Sequence, residues 1–267
     1  MEATINGIRM NYAVDGPDRA TAVVLHHSLA TNITLWDELT AVLTPRYRVV
    51  RLDARGHGKT EATKAPYDFE TLTADVVGLL DHLNIDQAHF IGLSMGGMIG
   101  QYLGLLHPKR VLSLTLSSTS SRVPPEGRAL WEQRIKDTRE KGIESQVETA
   151  MPRWVTAANQ KAKPAVVERL AKMIRGTSAE GFCGWGGAIS TLNVTEKLKA
   201  ITLPTNVIVG AEDPGTPPAA AEAIHREVKG SNLIVVPGVS HMLCAEEPGL
   251  FNKHVLDFLD TQAGGKN

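Results

Sequence analysis

The chain has 267 residues, of which 42% are hydrophobic and 21% charged, with a formal net charge of −1. That balance suits one large α/β domain, or a core with an insertion, and offers no concentrated basic face for nucleic acid. It also lacks an apolar run of the roughly 18 residues that a membrane span needs, and Met1-Glu2-Ala3-Thr4 does not open a secretory signal. Cys183 and Cys244 lie far apart and form no metal or redox motif, so we read them as free thiols of a cytoplasmic protein.

In chain order, Ile8–Val14 alternates apolar and polar residues, which predicts a half-exposed edge strand. Ala22–His26 and Tyr47–Leu52 read as buried strands with a helix over Trp36–Leu43 between them. A helix near residues 70–83 presents Leu72, Val76, Leu79, Leu80 and Leu83 on one face. Ala88–Ile91 and Val111–Leu116 read as the next strands, with a helix after the first of them. The alternation then stops. Residues 122–196 read as a helical block in which Gly184-Trp185-Gly186-Gly187 makes a turn. Strands resume at Asn206–Val209 and Asn232–Val236, and a last helix carries Phe251, Val255, Phe258 and Leu259 on one face. Strands alternating with helices predict an α/β fold, a mainly parallel sheet flanked by helices. We expect a core formed by 1–121 and 197–267, with 122–196 as an inserted helical cap. In such sheets ligands bind at the carboxyl ends of the strands.

Gly92-Leu93-Ser94-Met95-Gly96 stands between a predicted strand and a predicted helix. A serine between two glycines at such a turn is the pattern of a nucleophile elbow, where close backbone approach leaves no room for Cβ atoms beside the nucleophile. A serine hydroxyl needs a base, and the base an orienting carboxylate. Asp213 follows the strand at 206–209 and His241 follows the strand at 232–236. The predicted triad is therefore Ser94, Asp213 and His241, with Glu212 a rival acid. Asp213 as a turn-forming Asp-Pro residue and His241 as a surface loop residue are the alternatives that Ser94 outweighs. An oxyanion hole needs two N–H donors, expected from Met95 and from Leu29 in the loop His27-Ser28-Leu29. His26 and His27 have no third clustered ligand, so no metal is expected. Gly58-Lys59-Thr60 lacks the earlier glycine of a phosphate loop, because Asp53 stands there.

With these motifs the chain resembles α/β-hydrolases over nearly its full length, and among them 3-oxoadipate enol-lactonases. Ser28–Asn32 with Trp36, Tyr47–Gly58, Gly92–Gly97, Pro152-Arg153-Trp154 and Glu180-Gly181-Phe182 carry the likeness. The resemblance implies an α/β-hydrolase fold and enol-lactone hydrolysis in aromatic catabolism through an acyl-enzyme, with neither metal nor organic cofactor. The partner would be a small-molecule ester or lactone. A carboxylate-bearing lactone needs a cation near the pocket, for which Arg122 and Arg153 are candidates, and Trp154 and Trp185 are candidate pocket walls. Each of these four also has a bland reading, as a surface arginine or as packing of the cap. The Gly184–Gly187 stretch and His27 depart from the enol-lactonase pattern, and Ser28 departs from the fold at large, where many members have glycine. The same triad also fits a carboxylesterase, another lactonase or a C–C bond hydrolase, and the fold also fits a ligand receptor with little turnover.

Overall fold

The computed structural model describes residues 1–263. It opens with a hairpin of β1 (Glu2–Ile5) and β2 (Ile8–Asp15), joined by Asn6 and Gly7 at φ 48° and 79°. A two-residue hairpin turn needs left-handed backbone at both positions, which Asn-Gly takes readily. There follow β3 (Ala22–His26), α1 (Asp37–Leu43), β4 (Arg48–Leu52), α2 (Phe69–His82), β5 (Ala88–Leu93), α3 (Met95–Leu106) and β6 (Val111–Ser117). The chain returns to the sheet at β7 (Thr205–Gly210), α9 (Pro218–Glu227), β8 (Asn232–Val236), α10 (Leu243–Glu246) and α11 (Pro248–Ala263).

The eight strands lie in the order β1-β2-β4-β3-β5-β6-β7-β8. β2 is antiparallel to β1 and β4, and every other pair is parallel. The edge expected at Ile8–Val14 is thus corrected: β1 covers β2, and the edges are β1 and β8. β3, β5 and β7 are buried at every position, so their sequences are apolar runs that serve both faces of the sheet. α2 starts at Asp68, whose side chain accepts the Thr71 N–H, and buries Leu72, Val76, Leu79 and Leu80. α3 packs on β5 and β6, α9 on β7 and β8, and α1 against α11. No helix among the described residues is long and apolar enough to cross a membrane.

Five helices stand between β6 and β7: α4 (Pro125–Lys141), α5 (Ser145–Trp154), α6 (Ala157–Ala162), α7 (Pro164–Arg175) and α8 (Ala179–Ser190). The insertion leaves and returns at one place, where Val123 N–H bonds Leu192 O (2.9 Å) and Val194 N–H bonds Ser121 O (2.8 Å). The turn expected at Gly184–Gly187 is not there: these residues are the middle of α8. Close approach explains a helix with so many glycines. A Cβ on Gly181 would lie 2.3 Å from Gly56 O, and one on Gly184 2.6 Å from the Tyr67 ring, so only glycine lets α8 sit directly on the loop after β4.

Candidate active site

β5 ends at Leu93 and α3 begins at Met95, so Ser94 alone makes the turn between them. Its φ of 55° and ψ of −111° are a strained conformation for serine, a cost of about 1–3 kcal/mol that the surroundings must offset. Ser94 N–H bonds Ser117 O (2.8 Å), and Ser94 O accepts from the Thr119 hydroxyl (2.8 Å) and Met98 N–H (3.0 Å). The flanking glycines are required by distance. A Cβ on Gly92 would lie 2.2 Å from Gly96 O, and one on Gly96 2.2 Å from His26 O. The first N–H groups of α3 have no acceptor inside the helix, and that of Met95 comes immediately after the serine.

Asp213 lies in the loop beyond β7 and is almost fully buried. Its Oδ1 accepts Gly215 N–H (2.8 Å) and Thr216 N–H (2.9 Å), and its Oδ2 accepts the Thr216 hydroxyl (2.6 Å) and lies 2.7 Å from His241 Nδ1. Burial alone would raise the Asp213 pKa, but the His241 ring and the Thr216 donors hold it below the ordinary carboxylate value. A carboxylate so placed fixes the proton of His241 on Nδ1 and leaves Nε2 free to accept one. Glu212, the rival acid, is exposed and makes no bond to His241. The His241 loop is tied to the insertion. Ser240 N–H bonds Glu246 Oε1 (2.6 Å), whose Oε2 accepts Thr156 N–H (2.9 Å) and Asn159 Nδ2 (2.8 Å). Met242 N–H bonds Trp154 O (2.9 Å) and Ser240 Oγ bonds Arg153 O (2.9 Å).

Ser94 and His241 line one cavity of about 90 Å³ together with Ser28, Leu29, Arg153 and Trp154. Trp131, Arg134, Ile189 and Thr216 complete much of its wall. A wider cleft of about 930 Å³ shares Trp131, Arg134 and Arg153 with it and runs out between α4 and α9. Arg122 lines that outer cleft and not the inner cavity. Trp185 lines neither: it is buried against His26 and His57 and donates its Nε1–H to Arg55 O (2.9 Å). The pocket wall expected at Trp185 is therefore packing of α8 onto the core.

The inner cavity is electrically unusual because two guanidinium groups face it. Burial and the neighbouring Arg153 charge pull the Arg134 pKa down to about 9, which leaves it protonated at neutral pH. Burial also lowers the pKa of Arg153, and Asp213 partly offsets that. Neither arginine forms an ion pair with a carboxylate among the described residues. Arg134 bonds Gln146 Oε1 (3.0 Å) and lies over the Trp131 and Phe182 rings, 4.3 and 5.2 Å from their centroids. Such a pair is suited to bind a ligand carboxylate. Sequence reasoning missed Arg134, Trp131 and Thr216. The spacing of Trp131 and Arg134, three residues apart on one helix face, was an available signal for two of them.

A family model described as the alpha/beta hydrolase fold matches residues 21–248. The chain is 34% identical over 252 residues to 3-oxoadipate enol-lactonase 2 of Acinetobacter baylyi, covering 94% of this chain and 93% of that protein. It is 30% identical to a putative carbamate hydrolase of Variovorax paradoxus, covering 94% of this chain and 96% of that one. Among solved structures, the enol-lactonase from Burkholderia xenovorans LB400 superimposes with a TM-score of 0.94 at 34% identity, covering 97% of this chain and all of the other. The eight-stranded, mostly parallel sheet with flanking helices and these matches together lead to one statement: the chain belongs to the α/β-hydrolase family and is a hydrolase.

Proposed function

We propose that the protein is a serine hydrolase of a small carboxylate-bearing lactone or ester, with 3-oxoadipate enol-lactone as its substrate in aromatic catabolism. The observation that carries this reading is a single cavity lined by Ser94, His241, Arg134 and Arg153, in which neither arginine is paired to a carboxylate. Ser94 Oγ attacks the lactone carbonyl while His241 Nε2 takes its proton, and Asp213 holds the imidazole and stabilises its charged form. The carbonyl oxygen becomes an oxyanion that Met95 and Leu29 N–H groups hold. Collapse of the tetrahedral intermediate breaks the ring C–O bond, passes the proton from His241 Nε2 to the departing enol oxygen and leaves an acyl group on Ser94. The departing enol tautomerises to a ketone, so it demands little acid catalysis. Water then gives a proton to His241 and attacks the acyl carbonyl, and collapse of this second intermediate frees the diacid as His241 returns the proton to Ser94 Oγ. Arg134 and Arg153 hold the substrate carboxylate, which orients the lactone carbonyl at Ser94.

In this reading residues 122–196 form a cap that selects the substrate, and the two buried free thiols fit a cytoplasmic setting. A second reading, hydrolysis of a larger ester or lactone, is favoured by the outer cleft of about 930 Å³, which exceeds what a small enol-lactone fills. The test is ultraviolet loss of 3-oxoadipate enol-lactone against a panel of uncharged aryl esters, with Ser94→Ala as the blank. Ser94-dependent loss at a kcat/KM of about 10⁴ M⁻¹s⁻¹ or more supports the enol-lactone. Ser94-dependent cleavage of the esters alone supports the second reading, and saturable binding without turnover supports a receptor.

A further inference from the structure

Leu29 N–H belongs to the peptide that begins at Ser28 C=O, and the peptide is planar and trans, so N–H and C=O point in opposite directions. Ser28 O accepts three bonds from inside the loop: His27 Nδ1 (2.7 Å), the Thr31 hydroxyl (2.8 Å) and Thr31 N–H (3.2 Å). Pinning the carbonyl on that side turns the Leu29 N–H to the other. The next peptide is held as well, because Ala30 N–H donates to His57 Nε2 (2.9 Å). Ala30 stands at φ 59°, a left-handed conformation that alanine adopts only when its surroundings enforce it.

The two rings work reciprocally. His27 belongs to the loop after β3, and its Nε2 accepts Ala54 N–H (2.9 Å) from the loop after β4. His57 belongs to the loop after β4, and its Nε2 accepts Ala30 N–H from the loop after β3. A backbone N–H only donates, so both Nε2 atoms must be unprotonated and both rings must carry their proton on Nδ1. That arrangement is self-consistent at each ring: His27 Nδ1 faces Ser28 O, and His57 Nδ1 faces Arg55 O (3.2 Å). Burial keeps both rings neutral, with the pKa of His27 lowered to about 4 and that of His57 well below the ordinary value. Arg55 O also accepts Trp185 Nε1–H (2.9 Å), which joins α8 of the insertion to the same network.

We propose that His27 and His57 are positioning residues: neutral imidazoles from two loops that lock the peptide planes on either side of Leu29 and aim its N–H at the carbonyl oxygen attacked by Ser94. The proposal rests on the serine-hydrolase reading but is independent of the enol-lactone assignment. It explains why serine serves at position 28, since the left-handed residue of this loop is Ala30 and not Ser28.

The test uses p-nitrophenyl acetate as substrate and phenylboronic acid as a probe that forms a tetrahedral adduct on Ser94. His57→Phe keeps ring bulk and removes the acceptor, whereas His57→Gln carries an acceptor to the position of Nε2. The Phe variant should lose about 10–100-fold in kcat with KM within threefold, and bind the boronate weaker by a similar factor, less than the 10²–10³-fold lost with an entire oxyanion donor. His57→Gln should recover to within about threefold of the parent. A folded Phe variant with parental kcat and boronate affinity overturns the proposal, as does a Gln variant no better than Phe. A parent protein that neither cleaves the ester nor binds the boronate overturns the serine-hydrolase reading, and the proposal with it. Should the Phe variant fail to fold, the ring nitrogens of ¹⁵N-histidine-labelled parent protein decide at pH 7. Neutral rings protonated at Nδ1 for His27 and His57 uphold the lock, and an Nε2–H or charged ring at either overturns it.

Discussion

Asp213 stands behind His241, which lines the same cavity as Arg134, and the carboxylate and the guanidinium are held in different ways. Every hydrogen bond to the Asp213 carboxylate comes from its own turn, at Gly215 and Thr216, or from His241 on the neighbouring loop. Arg134 is held by Gln146 on another helix and by the rings of Trp131 and Phe182. The first arrangement is built where parallel strands end, so adjacent strands carry its members to one edge. The second depends on how α4, α5 and α8 pack on one another. In the proposed function, chemistry where the strands end is thereby separated from selection in the insertion, and each should change with limited effect on the other.

The sharpest attempt to break this division is Ser94→Ala. It should cut kcat by about 10⁴-fold or more on any substrate while leaving the urea midpoint close to the parent value. Near-parental turnover in that variant would move the nucleophile elsewhere and dissolve the sheet-edge site. The buried histidine rings at the end of β3 and in the loop after it test the same region through stability. Above pH 6.5 both folded and unfolded chains carry neutral rings. As pH falls, the unfolded chain takes up protons near 6.5, whereas folded His27 does so only near 4. Stability should therefore decline between pH 6.5 and 4, by about 3 kcal/mol for His27 alone. His26, lowered to about 3, adds a decline of the same sign. Urea unfolding at pH 7, 5.5 and 4.5 reads this out, and a flat profile would mean rings that are solvated or already charged.

On the insertion side, Arg134→Met and Arg153→Met should each lower kcat/KM for the enol-lactone about 10–100-fold, as expected for loss of a hydrogen bond to a charged group. Hydrolysis of p-nitrophenyl acetate, which has no carboxylate, should change less than about threefold. Equal losses on both substrates would assign the arginines to the chemistry and blur the two regions. The junction between them is Glu246, buried beneath three N–H donors. Glu246→Gln turns one acceptor into a donor and should destabilise the protein by about 1–3 kcal/mol, read from urea unfolding. An unchanged midpoint would show that the insertion and the His241 loop are joined by other contacts alone.

Much of the core was legible because strand periodicity and turn chemistry are local. Continuous apolar runs marked β3, β5 and β7, and the glycines around Ser94 marked the elbow, since a Cβ at either would strike the backbone. The Asn6-Gly7 turn carried a signal for β1 that reading Ile8–Val14 as an edge overlooked. The insertion was less legible. Gly184–Gly187 has the composition of a turn and is helix, because contacts with the loop after β4 and with Tyr67 outweigh its low helix propensity. Trp185 has the composition of a pocket wall, yet its indole is used to bond Arg55 O inside the core.

The sequence alone determined the alternation of strands and helices through most of the core, the α/β class, and which serine, aspartate and histidine follow strand ends. Only the tertiary structure decided that Arg134 joins Arg153 at the cavity while Arg122 stays in the outer cleft. It also decided that His27 and His57 serve backbone groups of each other's loops. The physical reason is range. Strand, turn and elbow are set by neighbours within a few residues, whereas a cavity wall or an inter-loop hydrogen bond depends on the approach of segments that no local pattern encodes.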